Sequence, residues 1–122
     1  SGRNLYHAVY DSNPAVAHFK IFVNLLEMEP FVEALRPLSV KIVLFGSCAT
    51  GEDTLDSDID LLVVTGDEAA VRAVVKKGPL SREVRPVIMT PQKLLKSREN
   101  DPAFHGEIDK GIVLYRSDDE RI

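Results

Sequence analysis

The stretch GSCATG at residues 46–51, followed by SDIDLL at residues 57–62, decides how this chain folds. A mainly apolar run at residues 40–45 precedes the first motif, and the second motif leads into another such run at residues 59–65. Short β-branched runs bounded by turn residues predict buried strands. The pattern therefore predicts two strands joined by a glycine-bounded loop, which contains at most one short helical turn, with a pair of carboxylates where the second strand opens.

Asp58 and Asp60 are two positions apart, so their side chains are predicted to point to the same side of the second strand. Two neighbouring carboxylates repel each other unless a cation lies between them, and Mg²⁺ prefers oxygen ligands that it shares with substrate phosphates. Ile59 lies between them and is expected to anchor the strand in the core. We therefore expect Asp58 and Asp60 to bind Mg²⁺.

Gly46 and Gly51 bracket the loop before these carboxylates. Glycine tolerates a positive φ and lets the backbone approach a phosphate closely. Ser47 adds a hydroxyl and an N–H group, and Ser57 can orient or cap the loop directly before the acidic pair. Gly-Ser turns and Asp-x-Asp pairs are each common by themselves. Their combination predicts a site for a nucleoside triphosphate with its magnesium, in which these four residues contact the nucleotide.

The composition fits one globular domain. The chain has 122 residues, of which 44% are hydrophobic and 28% charged. Its net charge of −4 gives no basic field, so we do not expect this chain to bind nucleic acid directly. Cys48 is the only cysteine, which excludes an internal disulfide and favours a reducing compartment such as the cytoplasm. The apolar runs are too short to cross a bilayer, so no membrane association is expected.

Helical patterns surround the predicted strands. Asn13-Pro14 predicts a helix start, Pro30 is expected to end or kink that helix, and a shorter helix is predicted at residues 31–36. Pro86 indicates an edge position or a bulge for the third strand. The remaining predictions are helices at 68–77, 91–98 and 102–110, and strands at 83–89 and 112–115. The fold class is therefore α/β or α+β, a small mixed sheet with helices packed on one face.

The chain divides into three predicted parts. Residues 1–13 form an N-terminal arm or linker, residues 14–116 form the domain, and residues 117–122 form a polar tail.

The GSxxxG and SDxDL pattern resembles the signature of the polymerase-β-like nucleotidyltransferase superfamily, and the small size resembles its minimal prokaryotic branch. Residues 82–91, REVRPVIMTP, are similar to a strand that often reads Arg-Glu-hydrophobic-Asn-Pro-Val and ends in Thr-Pro. The resemblance covers residues 14–116. It implies a mixed sheet flanked by helices, and attack by an acceptor hydroxyl on the α-phosphate of a nucleoside triphosphate with release of pyrophosphate.

The resemblance also implies roles for single residues. Gly46 and Ser47 would hold the β- and γ-phosphates, while Asp58 and Asp60 would bind metal ions. One ion would neutralise the triphosphate, and a second would lower the pKa of the acceptor hydroxyl.

The chain departs from the family pattern at one position. Active members carry a third carboxylate on a later strand, and the equivalent place here is near Arg85, which cannot ligate a metal. Glu83 lies two residues earlier, so it can face the same side and serve as the third catalytic carboxylate, or it is a surface charge at the strand end. An arginine in the site would pair with phosphate instead, which favours nucleotide binding with weak or absent transfer.

Two functions follow from these alternatives. The first is an enzyme that moves a nucleoside monophosphate to a hydroxyl, on a protein partner in some relatives, including antitoxins that modify a HEPN-type toxin. The second is a nucleotide-binding regulatory or antitoxin module with impaired catalysis. Some relatives follow a winged-helix DNA-binding domain, and the aromatic residues 5–10 are similar to a segment after such a wing. The expected partner is therefore a toxin, a fused domain or a second copy.

Other reactive or aromatic side chains receive simpler interpretations. Cys48 has no histidine close in sequence and is interpreted as a spacer in the loop. The remaining loop acids are expected to be solvated, the histidines to lie at or near the surface, and the phenylalanines of the first helices to be core or interface residues. These sets are Glu52, Asp53 and Asp56; His7, His18 and His105; and Phe19, Phe22 and Phe31.

Overall fold

A computed structural model describes residues 13–54, 56–78 and 82–117 of the chain. The predicted arm before Asn13, with its aromatic residues and His7, lies outside these residues, as does the predicted tail after Ser117. The elements are α1 Pro14–Leu35, a 3₁₀ turn Arg36–Leu38, β1 Ser39–Phe45, α2 Ser47–Thr50, β2 Ile59–Thr65, α3 Glu68–Lys77, β3 Val84–Met89, α4 Pro91–Asn100, α5 Pro102–Asp109 and β4 Ile112–Arg116.

The four strands form one mixed sheet in the order β3-β2-β1-β4. β1 is antiparallel to β2 and β4, whereas β2 and β3 are parallel and are connected through α3. Pro86 lies in β3, at the edge of the sheet, where a residue without an N–H group leaves no ladder bond unmade. The predicted edge position of this strand is confirmed.

Helices cover both faces of the sheet, so the prediction of helices on one face is wrong. Leu61 and Val63 of β2 pack with α1 and α3, while Leu62 and Val64 pack on the opposite face with Leu94 of α4. Successive apolar residues on a strand point to opposite faces, so both faces of β2 need a cover. The mixed sheet with packed helices, which is the predicted fold class, is confirmed.

α1 continues through Pro30, and the separate helix predicted at residues 31–36 is part of it. Proline inside a helix costs about 3 kcal/mol, because one hydrogen bond is lost and the ring crowds the preceding turn. Phe31 and Leu35 follow it and are 1% and 0% exposed. Burial of each such side chain contributes roughly 1.5–3 kcal/mol, which offsets the cost of the proline.

α1 also presents an apolar stripe to solvent. Phe19 and Phe22 are 62% and 56% exposed, and Val23 and Leu26 continue the stripe at helical spacing. Of the three phenylalanines expected in the core or at an interface, only Phe31 is in the core. Within the described part of the chain, no helix combines the length and apolar character needed to span a membrane.

Candidate functional site

The sheet brings the glycine loop, residues 46–51, together with the acidic pair of Asp58 and Asp60. β1 ends where the antiparallel β2 begins, and Phe45 pairs with Asp60 across the ladder. Gly46 follows with a φ of 74°, a left-handed conformation that favours glycine. A Cβ atom at this position would overlap the Asp60 carboxylate. The absence of a side chain at Gly46 is therefore what lets this carboxylate lie against the loop.

Arg85 completes this cluster from the neighbouring strand. The parallel register of β2 and β3 places Arg85 directly beside Asp60. Its Nη2 and Nε atoms lie 3.0 and 3.1 Å from Asp60 Oδ1, and Nε lies 3.5 Å from Asp58 Oδ2. One guanidinium thus contacts both carboxylates, which places Asp58 and Asp60 on the same side of the sheet. The Arg85 side chain is 65% exposed, so the cluster is open to solvent.

Glu83 stands beside the start of β2. It directly precedes β3, is exposed, and its carbonyl accepts a hydrogen bond from the Ile59 N–H group at 2.9 Å. It lines a cavity of about 590 Å³ beside α3, together with the cations Arg72 and Lys76. The side chain that contacts both aspartates is that of Arg85.

The acidic pair fits one metal ion. Two carboxylate oxygens already converge on one positive group, and hard oxygen ligands are what Mg²⁺ prefers. Across residues 13–54, 56–78 and 82–117, no three acidic, histidine or cysteine side chains come together as a metal-binding group. Asp58 and Asp60 would therefore hold a divalent ion with phosphate oxygens or water as its other ligands.

The serines of the motif hold the loop in shape. Ser47 opens α2, and its carbonyl accepts from the Glu52 N–H and the Thr50 hydroxyl at 3.1 and 3.2 Å. Ser57 Oγ accepts from the Thr54 N–H at 2.9 Å, which closes the turn before Asp58. Ser57 thus orients the loop, as the sequence predicted. The Ser47 side chain forms none of these bonds.

Asp53 is buried, so the prediction that it is solvated is wrong. It is 4% exposed and accepts hydrogen bonds from Arg82 Nη1 at 2.8 Å and Asn24 Nδ2 at 3.3 Å. Lys20 donates to its backbone carbonyl, and the Lys20 ammonium lies 3.8 Å from Oδ1. These cations compensate the cost of removing a carboxylate from water. The loop acids Glu52 and Asp56 are exposed, as expected.

Arg82 links this buried network to α1. Its Nη2 donates to Asn24 Oδ1 at 2.7 Å and lies 3.5 Å from Glu27 Oε2. Burial opposes the charged guanidinium, but the hydrogen bond with Asp53 and the nearby negative charges outweigh it, so the pKa of Arg82 is raised. The arginine therefore remains a cation that joins α1, the loop and the start of β3.

Cys48 does more than space the loop. Its side chain is buried, and its Sγ donates to the Asp58 carbonyl at 3.7 Å and accepts from Arg82 Nη1 at 3.6 Å. Burial, and then the charge of Asp53, raise the pKa of the Cys48 thiol above its usual value. A neutral thiol therefore connects the buried network to the backbone of Asp58, a candidate metal ligand.

Sequence reasoning missed most of this network. Lys20 and Asn24 are the polar residues of an otherwise apolar stretch of α1 at residues 19–26, and that contrast was the available signal. Arg82 stands in the stretch that resembles the family strand, but nothing in its spacing pointed to Asp53. Contacts between residues this far apart in sequence depend on the tertiary packing of α1 against the loop.

Of the residues that the structure describes, neither His18 nor His105 joins the acidic pair and Arg85. His18 is exposed, and its Nδ1 lies 2.8 Å from the Pro14 carbonyl. His105 has a side chain that is 14% exposed, with Nδ1 3.9 Å from Asp109 Oδ1. Its Nε2 atom has no hydrogen-bond partner among the residues that the structure describes.

The sequence of this chain is similar to that of a known protein family. A family model described as "Polymerase beta, Nucleotidyltransferase" matches residues 36–120, more than half of the chain. The matched interval contains the glycine loop, both aspartates of the acidic pair and Arg85. No curated protein matches the chain.

Proposed function

The chain belongs to the polymerase-β-like nucleotidyltransferases, and from that premise we propose that it binds a nucleoside triphosphate with Mg²⁺ and transfers the nucleoside monophosphate to a hydroxyl group. One observation carries this proposal. Asp58 and Asp60 converge on a single positive group beside Gly46. The two carboxylates point at one position, next to a turn where glycine leaves the backbone accessible. This arrangement suits a cation that is shared with a polyphosphate.

The reaction assigns simple tasks to these residues. The Ser47 hydroxyl and the backbone at Gly46 orient the terminal phosphates, and Asp58 and Asp60 hold the divalent ion. When bound, Mg²⁺ would neutralise phosphate charge and stabilise the transition state. The acceptor oxygen forms a bond to the α-phosphorus while the bond to the bridging oxygen breaks. Pyrophosphate leaves, and the acceptor proton goes to water.

A second candidate function is nucleotide binding without efficient transfer, as in a regulatory or antitoxin module. The observation in its favour is Arg85, which stands beside Asp60 where the family resemblance implies a third carboxylate. A guanidinium binds phosphate oxygens well, but it cannot ligate a metal ion that activates the acceptor. Glu83 remains the predicted third carboxylate on the enzymatic alternative.

The partner remains a prediction. A protein substrate such as a HEPN-type toxin, a fused DNA-binding domain or a second copy would each contact an exposed surface. The apolar stripe on α1, with Phe19 and Phe22 more than half exposed, is the surface that fits such contact best. Light scattering of the purified chain, alone and with a candidate partner, tests this prediction.

Calorimetric titration with ATP, GTP, CTP and UTP, with and without Mg²⁺, tests the nucleotide site. We expect Mg²⁺-dependent binding of at least one nucleotide, and about tenfold or greater weakening in Asp58→Asn and Asp60→Asn. Asp56→Asn is the matched control, because Asp56 is an exposed carboxylate of the same loop. Binding that is independent of both aspartates, or absent for all four nucleotides, would contradict the proposal. Pyrophosphate release then separates transfer from binding alone.

A further inference from the structure

We propose that the Arg85 guanidinium takes the place of a second divalent ion in the site. This chain would then bind a triphosphate with one divalent ion, whereas a third carboxylate at that place would allow two. The proposal rests on the proposed function and specifies how its site is charged. The register of β2 and β3 delivers the Arg85 guanidinium to the acidic pair. Both carboxylates contact it, at 3.0 Å for Asp60 and 3.5 Å for Asp58.

The charges in this cluster support a single ion. Asp58 and Asp60 supply two negative charges, and Arg85 neutralises one of them. One divalent ion then leaves the cluster positive, which suits an anionic triphosphate. A second divalent ion would need further oxygen ligands, and the described residues bring no third carboxylate to the pair.

The exposure of Arg85 indicates that its contacts can be exchanged. Its side chain is 65% exposed, whereas Arg82, three residues earlier, is 11% exposed and bonded within the buried network. Ion pairs between exposed side chains are weak, so phosphate oxygens can replace the aspartates as partners of Arg85. The planar guanidinium presents several donors, which suits two oxygens of one phosphate. Arg82 is anchored, and Arg85 is free to exchange its partners.

The same geometry has a chemical consequence. A guanidinium stabilises negative charge on phosphate, but it neither accepts the proton of an acceptor hydroxyl nor coordinates its oxygen. Arg85 therefore supports nucleotide binding but does not activate the acceptor hydroxyl. Transfer becomes slow unless the acceptor molecule brings its own base.

The first test uses Mn²⁺ alone as the probe, followed by calorimetry or electron paramagnetic resonance. In Arg85→Gln, the acidic pair loses its competing cation, so we expect about tenfold tighter Mn²⁺ binding than in the unmutated chain. Arg85→Lys is expected to fall between the two. Arg72→Gln is the matched control, because Arg72 is an exposed arginine paired with Glu68 outside the acidic cluster.

The second test uses MgATP and the same variants. Arg85→Gln is expected to bind MgATP about tenfold more weakly, which is opposite in sign to its effect on Mn²⁺. Arg85→Asp restores a carboxylate, and with a non-hydrolysable ATP analogue we expect two bound Mn²⁺ ions per chain where the unmutated chain binds one. Thermal unfolding of each variant checks that the fold is retained.

The outcomes separate this inference from the proposed function. Affinities for Mn²⁺ and MgATP that stay within twofold in Arg85→Gln overturn the role of Arg85, even when Asp58→Asn abolishes nucleotide binding. Two Mn²⁺ ions in the unmutated chain with the analogue also overturn it. Nucleotide binding that does not depend on Asp58, or no nucleotide binding at all, overturns the proposed function and this role together.

Discussion

Arg82 and Asp53 form a buried ion pair in which Nη1 lies 2.8 Å from Oδ2. Their side chains are 11% and 5% exposed, and the pair joins the glycine loop to the start of β3. The same segment that carries this buried anchor presents Arg85 to the acidic pair three residues later. The buried pair thus helps to fix the position of the site.

Replacing Asp53 tests this anchor. Asp53→Ala leaves the buried guanidinium of Arg82 without its main partner, and removing one member of a buried pair costs about 3–5 kcal/mol. We expect a fall of this size in the free energy of unfolding, measured by urea denaturation. Glu52→Ala is the control, since Glu52 is the exposed neighbour and should change stability by no more than about 0.5 kcal/mol. Equal effects of the two substitutions would contradict an anchoring role for Asp53.

The buried Cys48 thiol predicts a pH dependence of stability. Its pKa in the folded chain is raised above the usual 9.0, first because of burial. Between the usual and the raised pKa, the folded state therefore retains a proton that the unfolded state releases. The resulting contribution to the free energy of unfolding is fully present below the usual thiol pKa. It is lost as the pH rises through the raised, folded-state pKa.

Unfolding in urea between pH 7 and 10 measures this effect. We expect the stability of the unmutated chain to fall more steeply with pH than that of Cys48→Ala. We also expect iodoacetamide to modify Cys48 slowly in the folded chain and rapidly in urea, because the thiolate is the nucleophile. Parallel pH profiles for the two chains would contradict the raised pKa.

Gly46→Ala tests the contact between the loop and Asp60. The substitution adds a Cβ atom that overlaps the Asp60 carboxylate, at a φ that costs of order 1–3 kcal/mol for a residue other than glycine. We expect loss of MgATP binding and a lower melting temperature. Gly106→Ala is the matched control, since nothing lies within 4 Å of its added Cβ and α5 tolerates alanine there. If Gly46→Ala retained its affinity for MgATP, the loop would not be part of the binding site.

Glu83→Gln tests the predicted third carboxylate. If Glu83 acts as the third ligand in the transfer step, the substitution should lower pyrophosphate release at least about 100-fold while MgATP affinity changes little. Lys76→Gln is the control, because Lys76 lines the same cavity beside α3. Unchanged release in Glu83→Gln would assign this carboxylate to the protein surface.

Local patterns predicted most of the elements. The second strand and the helix after it were predicted with their observed bounds, residues 59–65 and 68–77. Asp67 caps that helix, α3, by accepting a hydrogen bond from the Ala70 N–H group. The proline in β3 indicated its edge position correctly. Each of these predictions depends on propensities that act within a few residues.

The errors arose where distant parts of the chain meet. Pro30 lies inside α1 because the residues after it are buried by the sheet, and that burial cannot be seen in the local sequence. Asp53 looked like a solvated loop acid, yet its partners come from α1 and the start of β3. In the site, the acidic pair was predictable from its spacing, whereas the contacts of Arg85 required the strand register.

The parallel pairing of β2 with β3 determines which side chain stands beside Asp60. A slip of β3 by one position would put Val84 or Pro86 opposite Asp60 in place of Arg85. The local electrostatic potential would then turn strongly negative, although every residue of the acidic pair was unchanged. Backbone alignment in this small sheet therefore tunes ligand preference as effectively as a substitution in the binding site.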